Sequence, residues 1–429
     1  MTPATAWGRL PRRPAACEVT VRDRHAPLPA HPTRPMLAHG LGRSYGDVGL
    51  NEGGVLLRTR GLDRFIHFDR SAGVLRAESG VSLAEVLELV IPQGWFLQVT
   101  PGTRFVTLGG AVANDVHGKN HHCAGSFGHH VTALELLRSD GTRLECRPGQ
   151  SNADWFRATV GGLGLTGLIV WVEIQLARIR TPCMWTVNRR FKHIDGYWEL
   201  DAELGQRHSH GVAWVDCLRG GRGIYSAADF AGHGQTCAPE PSSRRSMPVD
   251  PPISLVNGLT LRAFNLAYFH RTIVASGASP ALAFFYPLDR VLHWNRIYGR
   301  RGFFQYQCVL PPATMRDASR TLLDRIARHA MGSFLAVFKT FGSQAPAGLL
   351  SFPRPGATLA LDFPNQGERT LHFFDELDAI VFEAGGALYP AKDARMPARM
   401  FQHSFPRLQE FTRYLDPAFS SSFWRRVQG

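Results

Sequence analysis

Between Pro101 and Val131 the chain reads PGTRFVTLGGAVANDVHGKNHHCAGSFGHHV, a window with six glycines, five histidines and one lysine. Glycine lets backbone approach a ligand closely, and histidine and lysine supply donors and groups that titrate within reach of neutral pH. Upstream, Met36 to His39 runs into Gly40-Leu41-Gly42-Arg43-Ser44-Tyr45-Gly46-Asp47, which offers consecutive amides, a hydroxyl and a guanidinium. That set suits a pyrophosphate. The spacing is G-x-G-x-x-x-G with no amphipathic helix behind it, so it is not the dinucleotide fingerprint of a Rossmann fold. A third cluster, Gly161 to Gly167, precedes the apolar run Leu168 to Glu173. It serves either as another close approach to a ligand or as a crowded strand crossing. Near the C-terminus, Gly386 to Asp393 sets Tyr389 and Lys392 at a strand end.

The doublets His121-His122 and His129-His130, with Cys123 between, lack the i, i+4 or zinc-finger spacing of a metal site. Neighbouring side chains on extended backbone point opposite ways, so we read hydrogen-bonding or surface histidines and no metal. The aromatics Trp214, Phe303, Phe304 and Phe341 read by default as core, and Lys392 as a surface lysine but for its place beside Tyr389.

The elements that must position these residues are legible in outline. Val55-Leu-Leu-Arg and Val74-Leu-Arg-Ala-Glu read as short strands bounded by glycines. Ser82 with Glu85 forms a capping box for a helix carrying the stripe Leu83, Val86, Leu87 and Val90. Val131 to Arg138 reads as a strand entering an Asp140-Gly141 hairpin turn, and Asp154 to Val160 as a short helix. From about Thr181 the strands become aromatic: Met184 to Val187, Val212 to Asp216 and Gly302 to Leu310. Helices are expected over 313–330 and 370–384, a mobile loop over Ala238 to Pro252, and a final helical piece after Arg395 stopped by Tyr414 to Pro417. Residues 1–37 read as an irregular, proline-rich lead-in.

At 429 residues, with 44% hydrophobic and 19% charged, the chain holds two or three domains with a sizeable core. Its net charge of +13 calls for an anionic partner or surface, yet the basic residues are scattered and form no recognition arm or helix. A nucleic-acid-binding protein is therefore the remote reading. No uninterrupted apolar window is long enough to span a membrane, and the N-terminal residues lack an apolar leader. The expected setting is cytoplasmic, with peripheral contact at the inner membrane. Seven scattered cysteines without a C-x-x-C argue for reduced thiols.

Taken together, GLGRSYGD, PGTRFVTLGGAVANDVHGKNHH, GSFGHHV and GLGLTGLIV resemble the FAD-binding half of the vanillyl-alcohol oxidase superfamily. The likeness runs on through Phe284 to Asp289, Trp294 to Arg296, FFQYQ, VFKTFG, LSFPRPG, LDFP and LYPAKDAR, and so covers nearly the whole chain in order. Within that superfamily it is to the members that oxidise polyprenyl-phosphoryl sugars.

The resemblance implies an α+β fold: a two-subdomain PCMH-type FAD-binding domain (1–181), an antiparallel-sheet substrate domain with helices on one face (182–386), and a C-terminal segment (387–429) returning to the first. It implies cofactor contacts from His39 to Asp47, Gly102, Thr107, Leu108, Gly109, Gly110, Asn114, Asp115, Val116, His117, Ile169 and Tyr389. On the substrate side it implies Tyr45, His117, Lys119, Trp214, Gln305, Gln307, Lys339, Phe341 and Lys392. The implied reaction oxidises the 2-hydroxyl of a polyprenyl-phosphoryl ribose, the keto product passing to a separate NAD(P)H-dependent reductase. A soluble sugar-alcohol or aldonolactone oxidase is the alternative.

Oxidising a carbinol needs a proton acceptor. Lys392 or His117 fills that role, Tyr45 or Tyr389 could relay the proton, and Lys119 and Lys339 could pair with the phosphate. Two departures stand out. Related sugar oxidases that bind FAD covalently carry their histidine where this chain has Arg43, which implies non-covalent FAD. Mycobacterial members carry a cysteine where this chain has Ala360.

Overall fold

Short apolar runs, many closed by glycines, build two sheets within the first 178 residues. The structure, a computed structural model, describes residues 4–29, 33–232, 234–238 and 245–428. A parallel three-stranded sheet places Val55–Arg58 between Cys17–Thr20 and Met36–His39. The lead-in is thus not wholly irregular: Cys17 to Thr20 pairs in register with Val55 to Arg58. The second sheet runs Phe65–Asp69, Val74–Glu78, Leu168–Arg178, Val131–Leu137 and Arg143–Cys146, and Trp95–Leu97 also pairs with Leu168–Arg178. Helix Leu83–Val90 packs on it through Leu83, Val86, Leu87 and Val90, all buried. Its Ser82–Glu85 capping box is formed, a feature that contributes about 1 kcal/mol.

The larger sheet has eight antiparallel strands. In spatial order they are Ser276–Pro280, Cys183–Phe191, Gly223–Phe230, His210–Val215, Val337–Phe341, Gly356–Pro364, Phe303–Leu310 and Ala387–Leu388. Side chains alternate between its faces. One face carries Ala213, Val215, Tyr225, Tyr306, Phe338, Leu359, Leu361 and Phe363. These pack with Tyr197, Leu322, Ile326, Phe373 and Leu377 from helices Ile194–Leu200, Met315–His329 and Glu368–Glu383. The alternate residues Val212, Trp214, Ser226, Gln305, Gln307, Lys339, Thr358, Ala360 and Asp362 face a cavity instead. One further helix, Gly258–His270, lies on the cavity side, where Tyr268 packs against Trp214.

Three expectations need correction. The segment after Arg395 forms separate helices, Ala398–Ser404, Leu408–Phe411 and Ser422–Gln428. Pro406 cannot continue the first; the turns Leu408–Phe411 and Thr412–Tyr414 do stop at Tyr414 to Pro417, but a further helix follows. Not all cysteines are reduced: Cys183 and Cys237 form a disulfide. The hydrogen bond from Ala231 N–H to Cys183 O carries the chain back beside the strand that Cys183 opens. Within the loop expected over Ala238 to Pro252, residues 239–244 lie outside the described residues, while Arg245–Ser246 pairs with Val291–Leu292.

The C-terminal segment starts on the edge of the large sheet, where Leu388 pairs with Cys308. It then crosses to the first domain, where Met36 N–H donates to Ala418 O and the Arg426 guanidinium holds the Asp47 carboxylate. Among the described residues, no helix is long and apolar enough to cross a membrane.

Candidate active site

A cavity of about 860 Å³ lies between the glycine loops of the first domain and the polar face of the large sheet. Its size sits near the top of the usual range for cofactor and substrate pockets.

One wall is main chain. Among the described residues, the amides of Gly40, Leu41, Gly42, Arg43 and Ser44 donate to no protein acceptor. The loop is fixed by its neighbours. Tyr45 N–H donates to Ala391 O (2.9 Å), and Trp7 N–H donates to Ser44 O (2.8 Å). Arg43 donates to Leu41 O and sits over the Trp7 ring at 4.5 Å. Gly46 presses so closely on the tail that a Cβ there would fall 1.7 Å from Asp393 O. His39, buried and held neutral by that burial, bonds Gly49 O at 2.7 Å through Nδ1. Opposite, Thr107 Oγ1 accepts from Gly110 N–H at the start of helix Leu108–Ala113. Asn114 Nδ2 donates to Gly110 O, and its buried Oδ1 has no partner, nor has Ser79 Oγ. Gly102, Gly109, Val116 and Ile169 complete this wall.

The other wall is side chain. Gln305 stands opposite Asp362 in register, and its Nε2 donates to Asp362 Oδ1 at 2.6 Å. Asp362 Oδ2 and Gln305 Oε1 are buried without partners. Burial raises Asp362 to about 7, against the opposing pull of Gln305 and Lys392. Lys392 Nζ lies over the Tyr45 ring at 4.0 Å; burial lowers it to about 8, with Asp362 acting the other way. Tyr45 packs edge-on to Phe303, and burial together with Asp362 keeps its phenol protonated. Lys119 donates to Phe284 O and faces that ring at 4.3 Å, while burial lowers it to about 7. Lys339 falls to about 7 through burial and the charges of Lys119 and Lys392.

His117 is fully engaged. Gln307 Nε2 lies 3.0 Å from its Nε2, and Lys339 Nζ lies 2.8 Å from its Nδ1 while also donating to Gly118 O. A neutral imidazole has one N–H and one acceptor nitrogen, so two donors cannot both be satisfied. Either Lys339 is a neutral amine accepting from Nδ1–H, or the Gln307 amide is turned. Burial and the charge of Lys339 hold His117 well below its usual pKa. In both arrangements the ring has no free lone pair.

Of the residues expected here, four do not line the cavity. Asp47 is buried and ion-paired to Arg426 at 2.7 Å. Leu108 is core. Asp115 accepts from Gly128 N–H. Phe341 sits behind His117 and His121, with ring centroids 4.9 and 4.3 Å away. Tyr389 lines the cavity, and its hydroxyl donates to Asn114 O, which clamps the tail to the first wall. Trp214 Nε1 donates to Phe334 O, leaving its ring as cavity wall. The histidine doublets are held by hydrogen bonds: His121 accepts from Gly342 N–H, His122 bonds His208 O, His129 bonds Ser126 and Ala345 O, and His130 bonds Ala124 O. Asp362 and Trp7 were missed. The alternation Thr358, Ala360, Asp362 could have revealed the first; nothing in the lead-in signals the second.

Main-chain donors on one wall of the cavity and proton-carrying side chains on the other suit a nucleotide cofactor that reacts with a second molecule. Residues 30–147 match the family described as FAD binding domain. The free amides of 40–44 and the orphaned Asn114 Oδ1 fit the pyrophosphate and polar edge of that cofactor. Over 419 residues the chain is 36% identical to decaprenylphosphoryl-beta-D-ribose oxidase of Mycolicibacterium smegmatis, covering 92% of this chain and 89% of that one. It is 35% identical over 373 residues to a Streptomyces coelicolor protein of the mprA 5' region, across 81% of this chain and all of that one. Human Delta(24)-sterol reductase is 30% identical over 139 residues, 32% of this chain and 26% of the reductase. The chain belongs to the family of FAD-dependent oxidoreductases that includes the Mycolicibacterium smegmatis oxidase.

Proposed function

We propose that this enzyme oxidises the 2-hydroxyl of a polyprenyl-phosphoryl ribose to the 2-keto sugar. The observation that carries the substrate class is the set Lys119, Lys339 and Lys392. All three line one cavity, and among the described residues none has a carboxylate within ion-pair distance. Buried ammonium groups without a countercharge are costly, and an anionic substrate would supply one. The name of the Mycolicibacterium smegmatis relative points the same way.

When bound, FAD supplies the chemistry that accepts the hydride. The chain's own residues handle the proton. As a neutral amine, Lys392 takes the hydroxyl proton at Nζ, and the Asp362 carboxylate steadies the resulting ammonium. Tyr45, held protonated, donates to the carbinol oxygen and orients it. Lys339 fixes the His117 ring, which forms the floor beneath the sugar, and leaves Lys119 to face the phosphate. Arg43, which offers no nucleophile where the resemblance places the histidine of covalent relatives, supports non-covalent attachment of FAD. The keto product would pass to a separate NAD(P)H-dependent reductase.

Anaerobic mixing of the purified flavoprotein with a prenyl-phosphoryl ribose should bleach the flavin band, and acid precipitation should leave flavin in the supernatant. Bleaching by free sugar alcohols but not by the lipid phosphate would overturn the substrate reading in favour of a soluble sugar-alcohol oxidase. Flavin retained in the pellet would overturn the non-covalent reading.

A further inference from the structure

Helix Gly258–His270 is apolar on both sides. Its inward side, Leu261, Asn265 and Phe269, is buried. Its outward side presents Leu259 at 79% exposure, with Leu266 and Phe264 also exposed. The preceding strap adds Ile253 at 74%, Val249 and Leu255, and the following turn adds Val274 at 69%. These are one surface: Leu255 N–H donates to Ile297 O, Thr260 Oγ1 donates to Leu255 O, and Arg296 holds the carbonyls of Met247 and Pro248. An exposed apolar patch of this kind marks an interaction site.

The charge of the strip decides the occupant. From Arg245 to Arg301 there are seven arginines, two aspartates, and no lysine or glutamate. Asp250 is paired with Arg9, and Asp289 is buried, accepting from Arg104 N–H. Arg262, Arg271, Arg290, Arg300 and Arg301 remain exposed. A second copy of the chain would bring like charge against like, whereas an anionic lipid surface would neutralise it. The cavity also opens here: Phe264, Tyr268, Arg271 and Val291 belong to the strip and line the cavity.

We propose that the outward face of helix Gly258–His270, with residues 249–255, docks on an anionic bilayer and presents the cavity mouth to the acyl boundary. A prenyl chain would then stay in the lipid while its phosphoryl sugar enters past Phe264 and Tyr268. That route rests on the substrate reading above; the docking rests on the surface alone.

The test is flotation of the full-length, flavin-loaded protein with vesicles of phosphatidylcholine containing phosphatidylglycerol. Wild-type protein should float, and less so as salt rises. Leu259→Asp/Leu266→Asp should partition at least about tenfold less with an unchanged flavin spectrum, since neither residue lines the cavity. Wild-type protein left in the soluble fraction, or a double variant that floats equally well, would overturn the proposal. So would a wild-type dimer that the double variant splits without vesicle binding. Vesicle binding without oxidation of the lipid sugar upholds the docking face and sinks the substrate reading, and oxidation without vesicle binding does the reverse.

Discussion

The two walls of the cavity do their work with different atoms. The first-domain wall binds with backbone: residues 40–44 offer amides, and glycines bring them close. The large-sheet wall binds with side chains placed every second residue on neighbouring strands, so that Gln305 meets Asp362 and Lys339 meets Thr358 in register. A backbone wall fails when its path is disturbed. A side-chain wall fails one function at a time.

Substitution separates the two regimes. The largest effect is expected from Gly46→Ala, whose methyl would collide with the Asp393 carbonyl; purified protein should lose its flavin absorbance altogether. Gly102→Ala is the control, because a methyl there meets no protein atom within 4 Å. It should fold normally and lower flavin retention only. If both behaved alike, the backbone account of this wall would fail.

On the other wall, Lys392→Met should keep its flavin and lose about 10²- to 10⁴-fold in kcat. The proton acceptor is the neutral amine, so kcat in the wild type should rise with pH through about 8 and level off above it. Stopped-flow flavin reduction across pH would show that limb, and its persistence in the variant would exclude Lys392 as the base. Asp362→Asn removes the carboxylate that holds the Lys392 proton, so the same limb should move to lower pH while flavin binding stays intact. An unmoved limb would make Asp362 structural only. The smallest effect is on binding. Lys119 grips phosphate as a cation, so KM for the phosphorylated substrate should rise above about pH 7, and Lys119→Met should flatten that rise.

The same contrast explains what the sequence made legible. Glycine spacing is a local signal, and GLGRSYGD and TLGG read directly as a close-approach wall. Helix Leu83–Val90 was equally plain, because cap and stripe lie within one short window. The side-chain wall is written across strands far apart in the chain, and its register is set only by pairing. Gln305, Gln307 and Lys339 entered through family resemblance and Lys392 first through its place beside Tyr389, while Asp362 was passed over inside LDFP although it alternates with Ala360. Asp47 misled for the opposite reason. Its place in the glycine motif suggested a ligand, but its partner is Arg426, near the other end of the chain. Trp7 likewise reaches the site through contacts no local pattern encodes.

That pairing of Asp47 with Arg426, with Tyr45 bonded to Ala391 and Met36 to Ala418, has a consequence for biosynthesis. The glycine loop is buttressed by residues made more than 300 positions later. During translation the glycine loop emerges early but lacks its supports until residues 391–426 have followed it. Flavin loading therefore waits for residues 391–426 to emerge, and ribosome-stalled chains ending before residue 391 should hold no flavin, whereas chains through Gly429 on a C-terminal linker should.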